Sequence, residues 1–372
     1  MAKHGRMAGM AAGLMILAAT VEAGAQPRVE RLSERPVALT LLPATMHGRF
    51  ERKGAGFVRQ WPGSYAETAF RGSAVSFDVG PSEVALHVRV DGRRITTLVK
   101  PVPGLYRVAG MPAGRHVLRI EVASESQSGP TGIGPFFAER GTVGARLRNR
   151  TRQIELVGDS HTVGYGVTSP KRECTQDEVW ATTDTSRGFG ALLARRYGAD
   201  YAVNAISGRG VVRNYGGFAA DTLPEAYPFT LFDHRSRANA TGWHPQVIVV
   251  SLGTNDFTTP LHAGETWTSR DALHGDYERR YVRFVQELHA RDPRAQIVLW
   301  ATDMANGEIQ AEVAKVAATL RTSGAPWLTY VPVNGLSFSG CHSHPSIADQ
   351  TVIADRIAAV IDARVAGWAR RS

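Results

Sequence analysis

The sequence predicts two domains, an N-terminal β-sandwich of jelly-roll type and a C-terminal α/β domain with a flavodoxin-like sheet. Three observations carry that prediction. Over residues 37–138 short segments alternate apolar and polar residues and are separated by turn dipeptides such as Asp91-Gly92, Pro103-Gly104 and Ala113-Gly114, the period-2 texture of half-buried strands. From Ile154 onward apolar strand-like runs alternate with longer segments at helical spacing, which implies a largely parallel sheet covered on both faces. Between them residues 141–153 are short, polar and basic, and read as a linker.

The chain opens with Lys3 and Arg6 ahead of an apolar stretch from Met7 to Thr20 and a small-residue site at Ala23-Gly24-Ala25. This is the layout of an export signal, so residues 1–25 are predicted to be removed and the mature chain to start near Gln26. The apolar run is too short to span a bilayer comfortably. The expected location is secreted or periplasmic, with no membrane association after cleavage.

Residues 27–140 are assigned to the sandwich. Its strands include Ala74-Val75-Ser76-Phe77-Asp78-Val79, Val84-Ala85-Leu86-His87-Val88-Arg89-Val90 and His116-Val117-Leu118-Arg119-Ile120-Glu121-Val122. Short alternating strands at this spacing suggest a jelly roll. Trp61-Pro62-Gly63-Ser64-Tyr65 offers aromatics that either stack on sugar rings or fill a core.

Residues 154–372 form the α/β domain. Strand runs are predicted to end at Gly158, Ser207, Leu252, Thr302 and Pro332, and helices to cover residues 186–197, 271–291, 306–323 and 346–369. Five strands alternating with helices fit a doubly wound sheet, whose ligands bind beyond the carboxyl ends of the strands.

The 372 residues suffice for two domains, and 43% hydrophobic with 21% charged residues is an ordinary globular composition. The net charge of +9 admits a polyanionic partner. Yet the arginines are scattered, only residues 146–152 are dense, and zinc-finger or helix-turn-helix patterns are missing, so nucleic-acid binding is excluded. The expected protein is a soluble monomer with a mildly cationic surface. Cys174 and Cys341 are the only cysteines, and a lone pair in an exported chain predicts a disulfide. The bond would tie the loop after Ser160 to the loop carrying His344.

The run Ile154-Glu155-Leu156-Val157 ends abruptly in Gly158-Asp159-Ser160-His161, leaving a serine hydroxyl at the carboxyl end of a strand. Further strand-like runs end in Ser207-Gly208-Arg209-Gly210 and in Gly253-Thr254-Asn255-Asp256, and Gly340-Cys341-His342-Ser343-His344-Pro345 precedes the last helical pattern. Ser, Gly, Asn and His in this order resemble the four blocks of the SGNH (GDSL-like) hydrolases. Ester hydrolysis explains each residue type. A serine hydroxyl is a poor nucleophile at neutral pH and needs a base within reach; the block order supplies His344. The oxyanion needs donors aimed at its final position, and the Ser160 amide, the Gly208 amide and the Asn255 side chain would supply them.

An exported sandwich of about a hundred residues ahead of such a domain resembles carbohydrate esterase family 2, and Gly48-Arg49-Phe50 with Trp61-Pro62-Gly63-Ser64-Tyr65 also looks like that family's sandwich. The resemblance implies an acetyl xylan esterase-like enzyme that removes O-acetyl groups from xylan or related glycans by a serine acyl-enzyme, with no metal or organic cofactor. Its partner would be an acetylated polysaccharide or oligosaccharide.

One departure stands out. The family's last block often carries an aspartate two residues before the histidine, and the superfamily has one three residues before; here those places hold His342 and Cys341. The sequence resembles members whose Ser-His dyad is oriented by a backbone carbonyl. His342 and Asp303 are the candidate substitutes for the orienting acid. The same scaffold also admits a lipase or thioesterase, a polysaccharide acetyltransferase, or a noncatalytic glycan-binding protein.

Overall fold

The computed structural model describes residues 26–81, 83–238 and 242–368 together with Met1. The predicted signal at 1–25 lies outside the described residues apart from Met1. Among the described residues no helix is long and apolar enough to cross a membrane.

The N-terminal domain is built of antiparallel strands in one hydrogen-bonded network. Two long strands, Tyr65–Val79 and Gly104–Val122, pair along nearly their whole length, with a register shift between Gly72 and Ala74 that bends the pair. Alternate residues turn inward onto a shared core that includes Phe70, Val75, Phe77, Val88, Leu118, Ile120 and Phe136. The period-2 pattern is thus explained by burial of one face.

The second domain is a five-stranded parallel sheet. Its strands Gln153–Gly158, Asp200–Ala205, Val247–Ser251, Gln296–Thr302 and Leu328–Val333 stand in the spatial order 2-1-3-4-5, the flavodoxin-like arrangement. Phe189–Tyr197 and Ile347–Arg364 cover one face, with Leu193, Tyr197, Ile353 and Ile357 in that core. Arg270–Arg291 and Glu308–Thr322 cover the other, with Tyr281, Phe284, Val313 and Val316.

Two helix ends differ from expectation for local reasons. The helix predicted from residue 186 starts at Phe189, because Asp184 caps a separate turn at Thr185–Arg187 and Gly188 is extended. The last helix stops at Arg364, where Val365 is extended. A short helix, Gln176–Thr182, was not anticipated; a capping box between Thr175 and Glu178 starts it.

The predicted linker carries some regular structure at its two ends, while residues 146–152 between them have none. Val143–Ala145 pairs with the Tyr65–Val79 strand, and Gln153 already belongs to the sheet. Arg150 reaches Glu67 of the sandwich at 2.8 Å and Asp200 of the sheet at 2.7 Å. Composition could not reveal this, since a basic segment looks the same whether its charges meet water or buried carboxylates.

The Trp61–Tyr65 segment is core, not a sugar platform: Trp61 and Tyr65 are both fully buried. Trp61 Nε1 donates to the Phe229 carbonyl at 3.0 Å and the Tyr65 hydroxyl to Asp200 at 2.9 Å. Their rings enter the hydrophobic cores on the two faces of the hydrolase sheet. Burying each ring is worth about 1.5–3 kcal/mol, so this segment is a principal bolt between the domains.

Candidate active site

Ser160 is the first residue of a short helix, Ser160–Val163, that begins where the Gln153–Gly158 strand ends. Asp159 caps it by accepting from the His161 amide at 3.0 Å. Gly158 sits in register with Ala205 on one neighbouring strand and Ser251 on the other. The Ser160, Gly208 and Asn255 turns therefore leave three adjacent strands at the same edge of the sheet.

Side chains tie these turns together. Asn255 Nδ2 donates to the Arg209 carbonyl at 2.8 Å and contacts Asp159 Oδ2 at 3.3 Å. Asp256 accepts the backbone N–H groups of Val211, Val212 and Arg213 at 3.0–3.1 Å, drawing the segment after Gly208 onto the Asn255 turn. Gly208 has φ +84°, a conformation that favours glycine. Among the described residues the Ser160 and Gly208 amides have no hydrogen-bond acceptor, which leaves both donors available.

His344 arrives from the far side of the sheet. The loop that carries it is pinned by Asp349, which caps the Ile347–Arg364 helix and also accepts from the Ser337 and Phe338 amides at 2.7 and 3.0 Å. His344 Nε2 lies 2.8 Å from Ser160 Oγ. Its Nδ1 lies 2.9 Å from the Cys341 carbonyl and 3.2 Å from the His342 carbonyl. Carbonyls only accept, so Nδ1 carries the proton and Nε2 is left as acceptor for the serine hydroxyl.

Neither candidate substitute for an orienting acid meets His344 with its side chain. The His342 imidazole bonds elsewhere, Nδ1 to the Tyr165 hydroxyl at 3.1 Å and Nε2 to the Cys174 carbonyl at 2.8 Å; it is the backbone oxygen of His342 that meets His344. Asp303 accepts from the Gly335 amide at 3.2 Å, while Nδ1 of His344 is already taken by carbonyls. Residue 342 has φ +50°. That turn presents its carbonyl to the ring, a backbone property invisible in a motif.

Cys174 and Cys341 form a disulfide closing 167 residues of chain. A Cβ at Gly166, whose φ is +55°, would sit 2.4 Å from Cys341 Cβ, so the nucleophile loop and the base loop are packed against one another here.

Burial sets the electrostatics. It pushes the His344 imidazole down to about 4, only partly offset by the two carbonyls, and the buried His161 down to about 3. It pushes the Asp159 carboxyl up to about 7, against the His161 amide that pulls it back. Asp256 rises to about 6 by burial despite its three amide donors. The Tyr165 ring lies against His344 with centroids 4.2 Å apart, and His161 meets it edge-on at 5.5 Å. His344 is thus held as a neutral ring in a largely apolar slot.

Sequence reasoning named Ser160, Gly208, Asn255 and His344 but gave no role to Asp159, Asp256, Tyr165 or Asp349. Asp159 and Asp256 directly neighbour the named residues, and a buried acid beside an oxyanion turn was a signal available to read. Tyr165 and Asp349 had none beyond their place in sequence. Elsewhere, His47, Glu67 and Asp200 cluster closely enough to suggest a metal centre. Arg119 and Arg150 already pair with these carboxylates, so the cluster reads as a domain-bridging ion network.

A Ser, Gly, Asn and His gathered at the carboxyl edge of a 2-1-3-4-5 parallel sheet defines a GDSL-like ester hydrolase. Residues 156–350 match the model of the GDSL-like Lipase/Acylhydrolase family, and residues 46–145 match that described as Carbohydrate esterase 2 N-terminal. The chain belongs to carbohydrate esterase family 2. It is 40% identical over 313 residues, 84% of this chain and 87% of the other, to an acetylxylan esterase / glucomannan deacetylase of Cellvibrio japonicus. It is 28% identical over 320 residues to the cellulase/esterase CelE of Acetivibrio thermocellus, covering 83% of this chain and 38% of that one. Among solved structures, it is similar to a family two carbohydrate esterase from Clostridium thermocellum in complex with cellohexaose. That similarity has a TM-score of 0.78 and 26% identity over 88% of this chain and all of that one.

Proposed function

We propose that this protein is an exported O-acetyl esterase that removes acetyl groups from xylan or a related glycan through a serine acyl-enzyme. The observation that carries the reading is the 2.8 Å contact between His344 Nε2 and Ser160 Oγ, with Nδ1 committed to carbonyls. The 40% identity to an acetylxylan esterase / glucomannan deacetylase supports the substrate class. The disulfide, together with Lys3, Arg6 and the apolar stretch behind them, supports export.

In this reading the neutral His344 takes the Ser160 proton as Oγ attacks the acetyl carbonyl. The resulting oxyanion is held by the Ser160 and Gly208 amides, and by Asn255 Nδ2 as it exchanges its long 3.3 Å bond to Asp159 for the oxyanion. Collapse breaks the bond to the sugar oxygen, which takes the proton from His344 and leaves as a hydroxyl. Water, deprotonated by the same ring, then attacks the acyl-enzyme; the second tetrahedral intermediate releases acetate and returns the proton to Ser160. The imidazolium formed midway is stabilised by the Cys341 and His342 carbonyls in place of a carboxylate.

Exposed aromatics support a sugar substrate. Tyr215 and Phe218 expose 55% and 43% of their surface, and the Phe218 ring lies against Gly208, 3.3 Å from where a Cβ would be. An apolar ring face beside an oxyanion turn suits a pyranose better than a long acyl chain.

The test is acetate release from a panel of acetylated xylan, glucomannan and cello-oligosaccharides, run beside acetyl and octanoyl aryl esters. Release from one or more glycans with acetyl preferred is expected. Preference for octanoyl esters would instead indicate a lipase or thioesterase, glycan binding without turnover a binding protein, and acetyl transfer to an added glycan acceptor an acetyltransferase.

A further inference from the structure

The loop after the Gly104–Val122 strand leaves the sandwich and ends against the Gly208 turn of the hydrolase domain. Its backbone is gripped from both sides. The Ala123 amide donates to the Ala85 carbonyl at 2.9 Å, and the Ala123 carbonyl accepts from the Thr185 amide at 2.9 Å and hydroxyl at 3.0 Å. Ser124 Oγ accepts from the Ala85 amide, and Ser126 Oγ donates to the Gln60 carbonyl, both at 2.9 Å. From this platform two side chains reach Ser207. Glu125 Oε1 accepts the Ser207 N–H at 2.9 Å. Gln127 Nε2 donates to the Ser207 carbonyl at 3.2 Å and to Glu125 Oε1 at 3.3 Å.

The carbonyl of Ser207 and the N–H of Gly208 belong to one planar peptide unit. Anchoring the oxygen therefore fixes the direction of the N–H, and a hydrogen bond to that oxygen polarises the amide and strengthens its donor. The anchor has a task to perform, because glycine at φ +84° has no side chain to restrict it.

We propose that Gln127 and Glu125 of the sandwich are positioning residues for ester cleavage: Gln127 holds the carbonyl of the Ser207–Gly208 peptide, and Glu125 holds Gln127 and the preceding Ile206–Ser207 peptide, so that the Gly208 N–H meets the developing oxyanion. The inference rests on the reading of Gly208 as an oxyanion donor. It gives the N-terminal domain a part in the chemical step and explains why its loop is fixed so firmly to Thr185.

Steady-state kinetics of the full chain on an acetyl ester test it. Gln127→Ala and Glu125→Ala should each lower kcat roughly 10-fold, the weight of a single hydrogen bond, with KM little changed. Glu125→Gln keeps a carbonyl acceptor for the Ser207 N–H and should restore most of the rate. Affinity for a boronic acid that forms a tetrahedral adduct on Ser160 should fall in step with kcat, while binding of deacetylated xylo-oligosaccharide should not; a merely structural role would not separate the two. Wild-type kcat in both alanine variants, or a change confined to KM, overturns the inference. Asn255→Ala and Ser160→Ala run alongside keep the two readings apart. Loss in those variants without loss at Glu125 and Gln127 sinks only the positioning role, whereas full activity in them sinks the underlying mechanism.

Discussion

His344 donates its Nδ1 proton to the carbonyl oxygen of Cys341, 2.9 Å away, and Cys341 is the residue disulfide-bonded to Cys174. The group that orients the proposed base is therefore a peptide carbonyl, stapled to the loop that follows the proposed nucleophile. A carbonyl sets the tautomer as well as a carboxylate does but carries no full charge to stabilise imidazolium.

Ser160→Ala and His344→Ala should each abolish nearly all acetyl ester turnover, and the double variant should lose little more, because members of one catalytic unit act non-additively. Circular dichroism should confirm that both remain folded. Appreciable turnover in either folded variant would remove that residue from the mechanism.

His342→Ala and His342→Asn should retain most activity, since the His342 side chain contacts Tyr165 and Cys174 while only its backbone oxygen meets His344. Asparagine is the better tolerated of the two, as it accepts the positive φ at this position. Loss comparable to that of His344→Ala would show that the imidazole itself takes part.

The acid limb of kcat/KM should lie near 4 and not near the ordinary histidine value, because burial lowers His344 to about 4. The sign follows from the role: the base works when neutral, a depressed pKa keeps it neutral to lower pH, and activity is lost only as pH falls through the depressed value. A pH–rate profile on a non-ionising ester checks this, and a limb near 6.5 would mean that water reaches the ring.

Asn255→Ala should lower kcat by about 10²-fold to 10³-fold with a smaller effect on KM, as removal of an oxyanion donor does. Asp256→Ala should act differently. It strands three amides, those of Val211 and Arg213 buried and that of Val212 half-buried, so it should destabilise the fold by about 2–4 kcal/mol in urea denaturation and slow turnover indirectly. Unchanged stability would remove Asp256 as the anchor of the Gly208 turn.

Opening the disulfide should lower both stability and rate. Closing 167 residues is worth about 5 kcal/mol at most in the chain-entropy model. Cys174→Ser with Cys341→Ser should therefore melt well below the wild type, and kcat should fall because the Cys341 carbonyl loses its tether. An unchanged Tm would contradict this.

What the sequence determined by itself was local and periodic. Alternation of period 2 before Ala138, strand–helix alternation after Ile154, and turn residues at the strand ends at Gly158, Ser207 and Leu252 reflect burial of one face of each element. They were enough to predict both domains, and the order of Ser160, Gly208, Asn255 and His344, through its resemblance to the SGNH blocks, named the site. Tertiary structure decided what depends on the docking of distant segments. That docking buried Trp61 and Tyr65 between the domains, turned residues 143–145 of the expected linker into a strand, and brought Glu125 of the sandwich onto Ser207. It also gave the orienting role to carbonyls of Cys341 and His342 in place of Asp303 or the His342 ring. Every residue has a carbonyl, so side-chain identity carries no signal for which one a distant histidine will meet; backbone path and positive φ decide it, and those are fixed only when the loops pack.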